Sequence, residues 1–215
     1  MSGLTNKNVY EAKAPNGALY GTIGPNDWKR FKQTLRFVPD KIESVLDAGC
    51  DRGHWLNYLL QHRPIARHLG IDISEQRIAE ARRRYPGLDL TVGYLELLPK
   101  DAGQFDLVTC MEVLEHVPDW EKVLGTLLTL AKRRVLVTVP YQEEISMTVC
   151  VHCGKLTPFY AHLHSFSEGT FPDYPGWSRR TGFLLDYRIG ATFTRRLYRM
   201  FRPKKSWLVV VYDRI

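Results

Sequence analysis

Two acids in this chain of 215 residues stand where a ligand could use them. Asp47 ends the apolar run Ser44-Val45-Leu46 and is followed at once by Gly49, Cys50, Asp51, Arg52 and Gly53. Asp72 ends a second run that starts at Arg67, and it lies roughly 20 residues beyond the glycines. A carboxylate at the C-terminal lip of a strand can hold a cationic group. Glycine at 49 and 53 keeps a Cβ out of the path of a ligand that comes close to the backbone. The spacing to Asp72 is that of a ribose-binding carboxylate, so two neighbouring strand ends can share one nucleoside. For the glycine pair alone, an ordinary strand-to-helix turn is the alternative.

A second set lies further on, where Cys150-x-x-Cys153 is followed by His162-x-His164. Two thiolates and two imidazoles are the ligand set of a tetrahedral structural zinc ion, and Gly154 supplies the turn such a knuckle needs. Eight residues separate Cys153 from His162, fewer than in common zinc fingers. Thiols in a surface loop without zinc are the alternative.

Strands and helices must alternate to hold these groups. Trp28, Phe31, Leu35 and Phe37 fall near helical spacing, with Asn26 as cap and Pro39 beyond the end. Trp55, Leu56, Tyr58, Leu59 and Leu60 mark a helix after the glycine turn, and Ser74 caps another that runs to Tyr85. Asp119 caps a helix from Trp120 to Ala131. Between them Leu88 to Val92, Phe105 to Met111 and Arg134 to Val139 read as strands, and Gly182 to Ile189 and Ser206 to Tyr212 as the last two. This rhythm predicts an α/β fold built on a mostly parallel sheet wound on both faces. Residues 1–25 read as an irregular arm, with Tyr10, Tyr20 and Trp28 as lid candidates, and residues 26–215 as one domain. About 40 loop-like residues, 141–180, form an insertion, longer than a simple connection.

Taken together and in order, these stretches resemble the class I S-adenosylmethionine-dependent methyltransferases over roughly residues 40 to 140. Val45-Leu46-Asp47-Ala48-Gly49-Cys50 looks like their first motif, Gly70-Ile71-Asp72-Ile73-Ser74 like their ribose motif and Gly93-Tyr94-Leu95-Glu96 like their adenine-side loop. Phe105 to Val117 looks like their fourth strand and the lip after it. The resemblance implies a Rossmann-like sheet of seven strands ending in an antiparallel hairpin. It implies S-adenosylmethionine as cofactor, held by Asp47, Gly49, Cys50, Gly53, Asp72, Ile73, Tyr94, Leu95 and Met111. Asp51 stands where such families usually carry glycine, and Tyr94 where they carry an acid. A non-catalytic binding module is the reading those two departures motivate.

Methyl transfer from a sulfonium is an in-line displacement, so the protein positions the acceptor and, for oxygen, helps remove its proton. Glu112, Glu115 and His116 are the candidates, a Glu-x-x-Glu-His group similar to the metal-binding pattern of ubiquinone-biosynthesis O-methyltransferases and small-RNA 2′-O-methyltransferases. A divalent metal there would lower the pKa of a bound hydroxyl and orient it. Without metal, His116 acts as a base or a pocket wall.

Composition narrows the setting. No apolar run reaches the roughly 18 residues of a membrane span, residues 1–8 lack a signal-peptide core, and four cysteines do not form a disulfide framework. The expected location is therefore cytoplasmic. Residues 151–215 carry 11 Lys and Arg against 4 Asp and Glu, whereas 1–150 are balanced at 19 each. The basic stretch Thr192 to Lys205 alternates Phe193, Leu197, Met200 and Phe201 with arginines, which suits docking on the core, an anionic substrate, a membrane surface or RNA. Tyr, Phe and Trp in the pocket elements favour a small-molecule or lipid-like acceptor, with RNA as the alternative.

Overall fold

A computed structural model describes residues 5–11, 23–99, 103–150, 153–186 and 204–215. Apolar β-branched runs form the centre: β1 (Ser44–Ala48), β2 (Arg67–Asp72), β3 (Leu90–Val92), β4 (Phe105–Met111) and β5 (Ala131–Pro140) are all parallel. Two further strands, labelled β8 (Trp177–Asp186) and β9 (Lys204–Arg214) after the short pair β6 (Met147–Val149) and β7 (Leu156–Pro158), complete a seven-stranded sheet in the order β3-β2-β1-β4-β5-β9-β8. β9 runs antiparallel to both neighbours, which makes the expected hairpin at the edge.

Besides α1 (Lys7–Glu11), the helices α2 (Pro25–Thr34), α3 (His54–His62), α4 (Glu75–Arg84) and α5 (Trp120–Leu130) follow the expected periods, α2 with Gly24 rather than Asn26 as its cap because Pro25 starts the helix one residue before Asn26. Caps fix two of them: Ser74 accepts from the Arg77 amide, and Asp119 from the Lys122 amide. One apolar layer, with Leu124, Leu127, Val108 and Phe166, lies on one face of the sheet; another, with Phe31, Leu56, Leu59 and Val209, lies on the other. Both faces are covered, so the central strands carry unbroken apolar runs rather than alternation. β1 itself is buried at all five positions.

Some boundaries differ from expectation. β8 starts at Trp177, five residues earlier than the apolar pattern suggests, because Ser178, Arg179 and Arg180 ladder against Asp213, Tyr212 and Val211. An edge strand tolerates polar side chains that a central strand does not. The arm is not wholly irregular, since residues 7–11 form a helical turn. The insertion contains the small β6–β7 sheet and then packs Phe166 and Phe171 onto Trp120, at centroid distances of 5.2 and 5.3 Å. Tyr20 and residues 192–203 of the basic stretch lie outside the described residues.

Among the described residues, no helix is long and apolar enough to cross a membrane.

Candidate active site

Strand order reverses between β1 and β4, and there the carboxyl ends of the strands part to leave a crevice. Two adjoining cavities, of about 270 and 230 Å³, open at that point and share Gly49, Asp51, Arg30, Arg77 and Met111 in their walls. Asp72, Ile73, Leu95 and His116 line the first; Asp47, Cys50, His54 and Trp55 line the second.

Asp47 sits at the end of β1, 2% exposed, and its carboxylate accepts the Thr109 hydroxyl at 2.7 Å. Thr109 is itself held by the Trp55 indole N–H at 3.3 Å. Burial pushes the Asp47 carboxyl up to about 7, with the nearby charges of Asp72 and Asp51 adding to it against the Thr109 bond. Asp72 accepts the Ser74 amide on one oxygen and the Asp51 amide on the other, both at 2.9 Å. Burial raises it to about 6. No cation pairs with Asp47 among the described residues, so a cationic ligand would relieve a buried acid.

The backbone between these acids turns tightly. Gly49 has φ +82°, and a Cβ there would stand 2.3 Å from a Val113 methyl. Asp51 adopts φ +48°, a left-handed angle that aspartate tolerates better than most residues. Its side chain points to Arg77, with which it forms an ion pair, and its amide stays on Asp72. The turn therefore keeps its shape without glycine at 51.

At the lip beyond β4, Glu115 is 1% exposed and both of its carboxylate oxygens are buried without a hydrogen bond. One ligand atom each from Glu115, His116 and His162 lie within 4.8 Å of one another. Burial, with the Glu112 charge beside it, raises Glu115 well above the usual carboxyl range. Burial, with the nearby His162 adding to it, lowers His116 to about 4, so its imidazole is neutral near pH 7. His116 Nδ1 faces the Ala161 carbonyl at 3.2 Å, which leaves Nε2 with its lone pair. His162 Nδ1 pairs with Glu143. A carboxylate behind an imidazole is the arrangement that orients metal-binding histidines. Glu112 and Ala161 both hold positive φ, +57° and +59°, so two strained non-glycine residues flank this group. Glu112 accepts the Thr138 hydroxyl at 3.0 Å and faces Arg30 at 3.4 Å; burial raises its carboxyl as well. The orphaned Glu115 oxygens and two imidazoles fit a divalent cation.

A family model described as a methyltransferase domain matches residues 20–180 of this chain. The chain belongs to the class I S-adenosylmethionine-dependent methyltransferases. Ubiquinone biosynthesis O-methyltransferase of Coxiella burnetii is 36% identical over 107 residues, 48% of this chain and 45% of the relative. The enzyme of the same name from Pseudomonas aeruginosa is 29% identical over 161 residues, 70% and 68% of the two chains. The methyltransferase spans about half the length of the first of these relatives. A crystal structure of a putative S-adenosylmethionine-dependent methyltransferase from Listeria monocytogenes shares the fold at TM-score 0.65 and 15% identity, over 90% of this chain and 100% of that one. Asp51, one of the two departures that motivated the reading as a non-catalytic module, is accommodated as described above.

In the methyltransferase, most residues expected at the cofactor converge on the two cavities. Gly53 and Tyr94 line neither. Gly53 caps α3 at φ +71° against Leu88, and Tyr94 opens the short turn Leu95–Leu97, so its neighbours Gly93 and Leu95 face the cavity instead. The four expected zinc ligands do not assemble. His162 joins the Glu115 group, while His164 Nε2 is held by the Val117 carbonyl at 2.9 Å. Residues two apart on a regular strand would share a face, but this segment is irregular, follows Ala161 at φ +59°, and sends the two imidazoles to different partners.

Arg30 and Arg77, which line both cavities, were not marked by any motif. Arg30 lies on the face of α2 between Trp28 and Phe31, and a lone arginine inside an aromatic helix pattern was the available signal. Tyr10 of α1 lies edge-on to His116 at 5.7 Å, as a lid residue would; Trp28 instead packs with Phe31 and Tyr58.

Proposed function

We propose that this methyltransferase methylates an oxygen of a small-molecule or lipid-like acceptor, with a divalent cation held by Glu115, His116 and His162. The observation that carries this reading is the buried Glu115 carboxylate, both oxygens orphaned, beside two imidazoles whose other nitrogens are engaged. S-adenosylmethionine, when bound, supplies an electrophilic methyl group on a sulfonium. Asp47 and Asp72 hold its positive charge and its ribose, and Gly49 admits it to the backbone. Arg30, whose Nε is buried without a partner, serves the anionic end of the same ligand.

The acceptor enters through a further cavity of about 740 Å³ that shares Glu112 with the first and is walled by Tyr141, Tyr160, His162 and Trp207. Aromatic walls with a few polar groups suit an apolar ring or chain bearing a hydroxyl. A cation held by His116 and its neighbours would lower the pKa of an acceptor hydroxyl, and the walls exclude water from the methyl group. The names of the relatives support oxygen as the acceptor atom.

Incubation with methyl-labelled S-adenosylmethionine and a cell extract tests the reading. Label in the lipid or small-molecule fraction, abolished by a strong chelator and restored by a divalent metal, is expected. Label in RNA, or turnover unchanged in chelator, would overturn the acceptor class or the metal respectively.

A further inference from the structure

Asp51 stands where class I methyltransferases usually carry glycine, and its backbone and side chain reach different partners. Its amide donates to Asp72 Oδ2 at 2.9 Å, on the carboxylate placed for the ribose. Any residue that can hold φ +48° keeps that bond, and glycine holds the angle with least strain. The Asp51 carboxylate turns instead to two guanidinium groups. One oxygen pairs with Arg77, and the other faces Arg52 at 3.6 Å. Arg52, 7% exposed, is fixed in turn by Glu80 at 2.7 Å. A carboxylate shared by two partly buried arginines holds its place better than a lone surface pair.

Arg77 carries the contact onward to the arm. Its Nε donates to the Tyr10 carbonyl at 3.4 Å, and its guanidinium lies 5.8 Å from the centroid of the Tyr10 ring. The same ring stands edge-on to His116 at 5.7 Å. α1 also meets α4 at Glu75, where Lys7 pairs with the carboxylate and Glu11 accepts the amide at 2.7 Å. The Arg77 side chain is 18% accessible against 70% for Glu75, so the link through Arg77 is the better shielded from water and salt.

We propose that Asp51 is a positioning residue for the arm: through Arg77 it holds Tyr10 against His116 and keeps α1 over the bound cofactor. Glycine at 51 would retain the amide on Asp72 and lose the hold on Arg77, so one substitution separates the cofactor turn from the arm. The role presupposes the β1–β4 crevice as the S-adenosylmethionine site.

Binding of S-adenosylhomocysteine to the full chain tests this, by stopped-flow rates together with amide hydrogen exchange over residues 7–11. In the parent the ligand slows exchange there. In Asp51→Gly the ligand still raises Tm and associates at the parent rate. Its dissociation is about five- to tenfold faster, the weight of one hydrogen-bonded ion pair, and exchange over 7–11 is no longer slowed. Asp51→Asn, which tolerates the left-handed angle but lacks the charge, shows the same change to a smaller degree. Dissociation at the parent rate from both variants, protection of 7–11 retained in Asp51→Gly, or slowed association in place of faster dissociation would each overturn the inference. The last of these makes the side chain part of the cofactor turn. Absence of any Tm shift in the parent would instead sink the assignment of the crevice, and the role of Asp51 with it.

Discussion

Asp47 and Asp72 are acids that the fold holds partly protonated near neutrality, at about 7 and about 6. Each has a folded pKa above its unfolded value, so each stabilises the ligand-free fold below about pH 4, and that contribution is lost as pH rises through 6 to 7. A cationic cofactor reverses the preference by favouring the charged form. Binding of S-adenosylmethionine should therefore tighten as pH rises from about 5.5 to 7.5 and release protons, seen by calorimetry in buffers of different ionisation enthalpy. Asp47→Asn should flatten that rise and weaken binding at pH 7.5 by tenfold or more. Flat affinity in the parent protein would show that these carboxyls do not meet the charge. At the proposed metal group, Glu115→Gln removes a negative ligand atom while keeping shape; metal affinity should fall by at least about 10- to 100-fold, the loss that follows when only an outer-shell partner of a metal ligand is removed.

The turn after β1 and the return limb of the insertion are the elements on which the site depends. Gly49→Ala forces a Cβ onto Val113 in a left-handed conformation, and should cost about 1–3 kcal/mol in urea unfolding together with cofactor binding. Phe166 is 1% exposed, stacks on Phe171, and its carbonyl accepts the Gln142 amide. Phe166→Ala should cost about 3–5 kcal/mol and release His162 from the metal group, so metal binding should fall with stability. β1 and the inner parts of β4 and β5 were legible because strands buried on both faces carry runs of Val and Leu that need no partner to be recognised, and β2 because its buried end, Gly70-Ile71-Asp72, again closes an apolar stretch on an acid. The lip was legible as residue types, since Glu112, Glu115 and His116 are neighbours in the chain. Its completion by His162 was not. That choice depends on the irregular backbone after Ala161, at φ +59°, and on the Leu163 amide donating to the Glu115 carbonyl at 2.6 Å, a contact made across 48 residues. Arg30 was hidden for the same reason: its partner Glu112 is distant in sequence.

Across the whole molecule, the sheet gathers the cofactor cavities on one side of the lip and the acceptor cavity on the other, with Glu112 common to both. Such a division lets either ligand stabilise the fold separately. S-adenosylhomocysteine should raise Tm without any acceptor present, and the shift should grow with ligand concentration as mass action requires. No shift at concentrations far above a typical affinity would refute the assignment of the β1–β4 crevice. The arm segment bears on timing. Thr5 is bonded to Glu96, Lys7 to Glu75, and the Tyr10 carbonyl accepts from Arg77, so α1 lies across the rim of the cofactor cavity, and none of these three contacts is with a residue that lines only the acceptor cavity. The two doors are independent. With separate openings, a methylated acceptor would depart while the spent cofactor is still beneath the arm, and release of the homocysteine product from under α1 would close the cycle. Raising ionic strength, which loosens the exposed Lys7–Glu75 latch, would then quicken turnover at saturating substrate until the cofactor no longer stays bound.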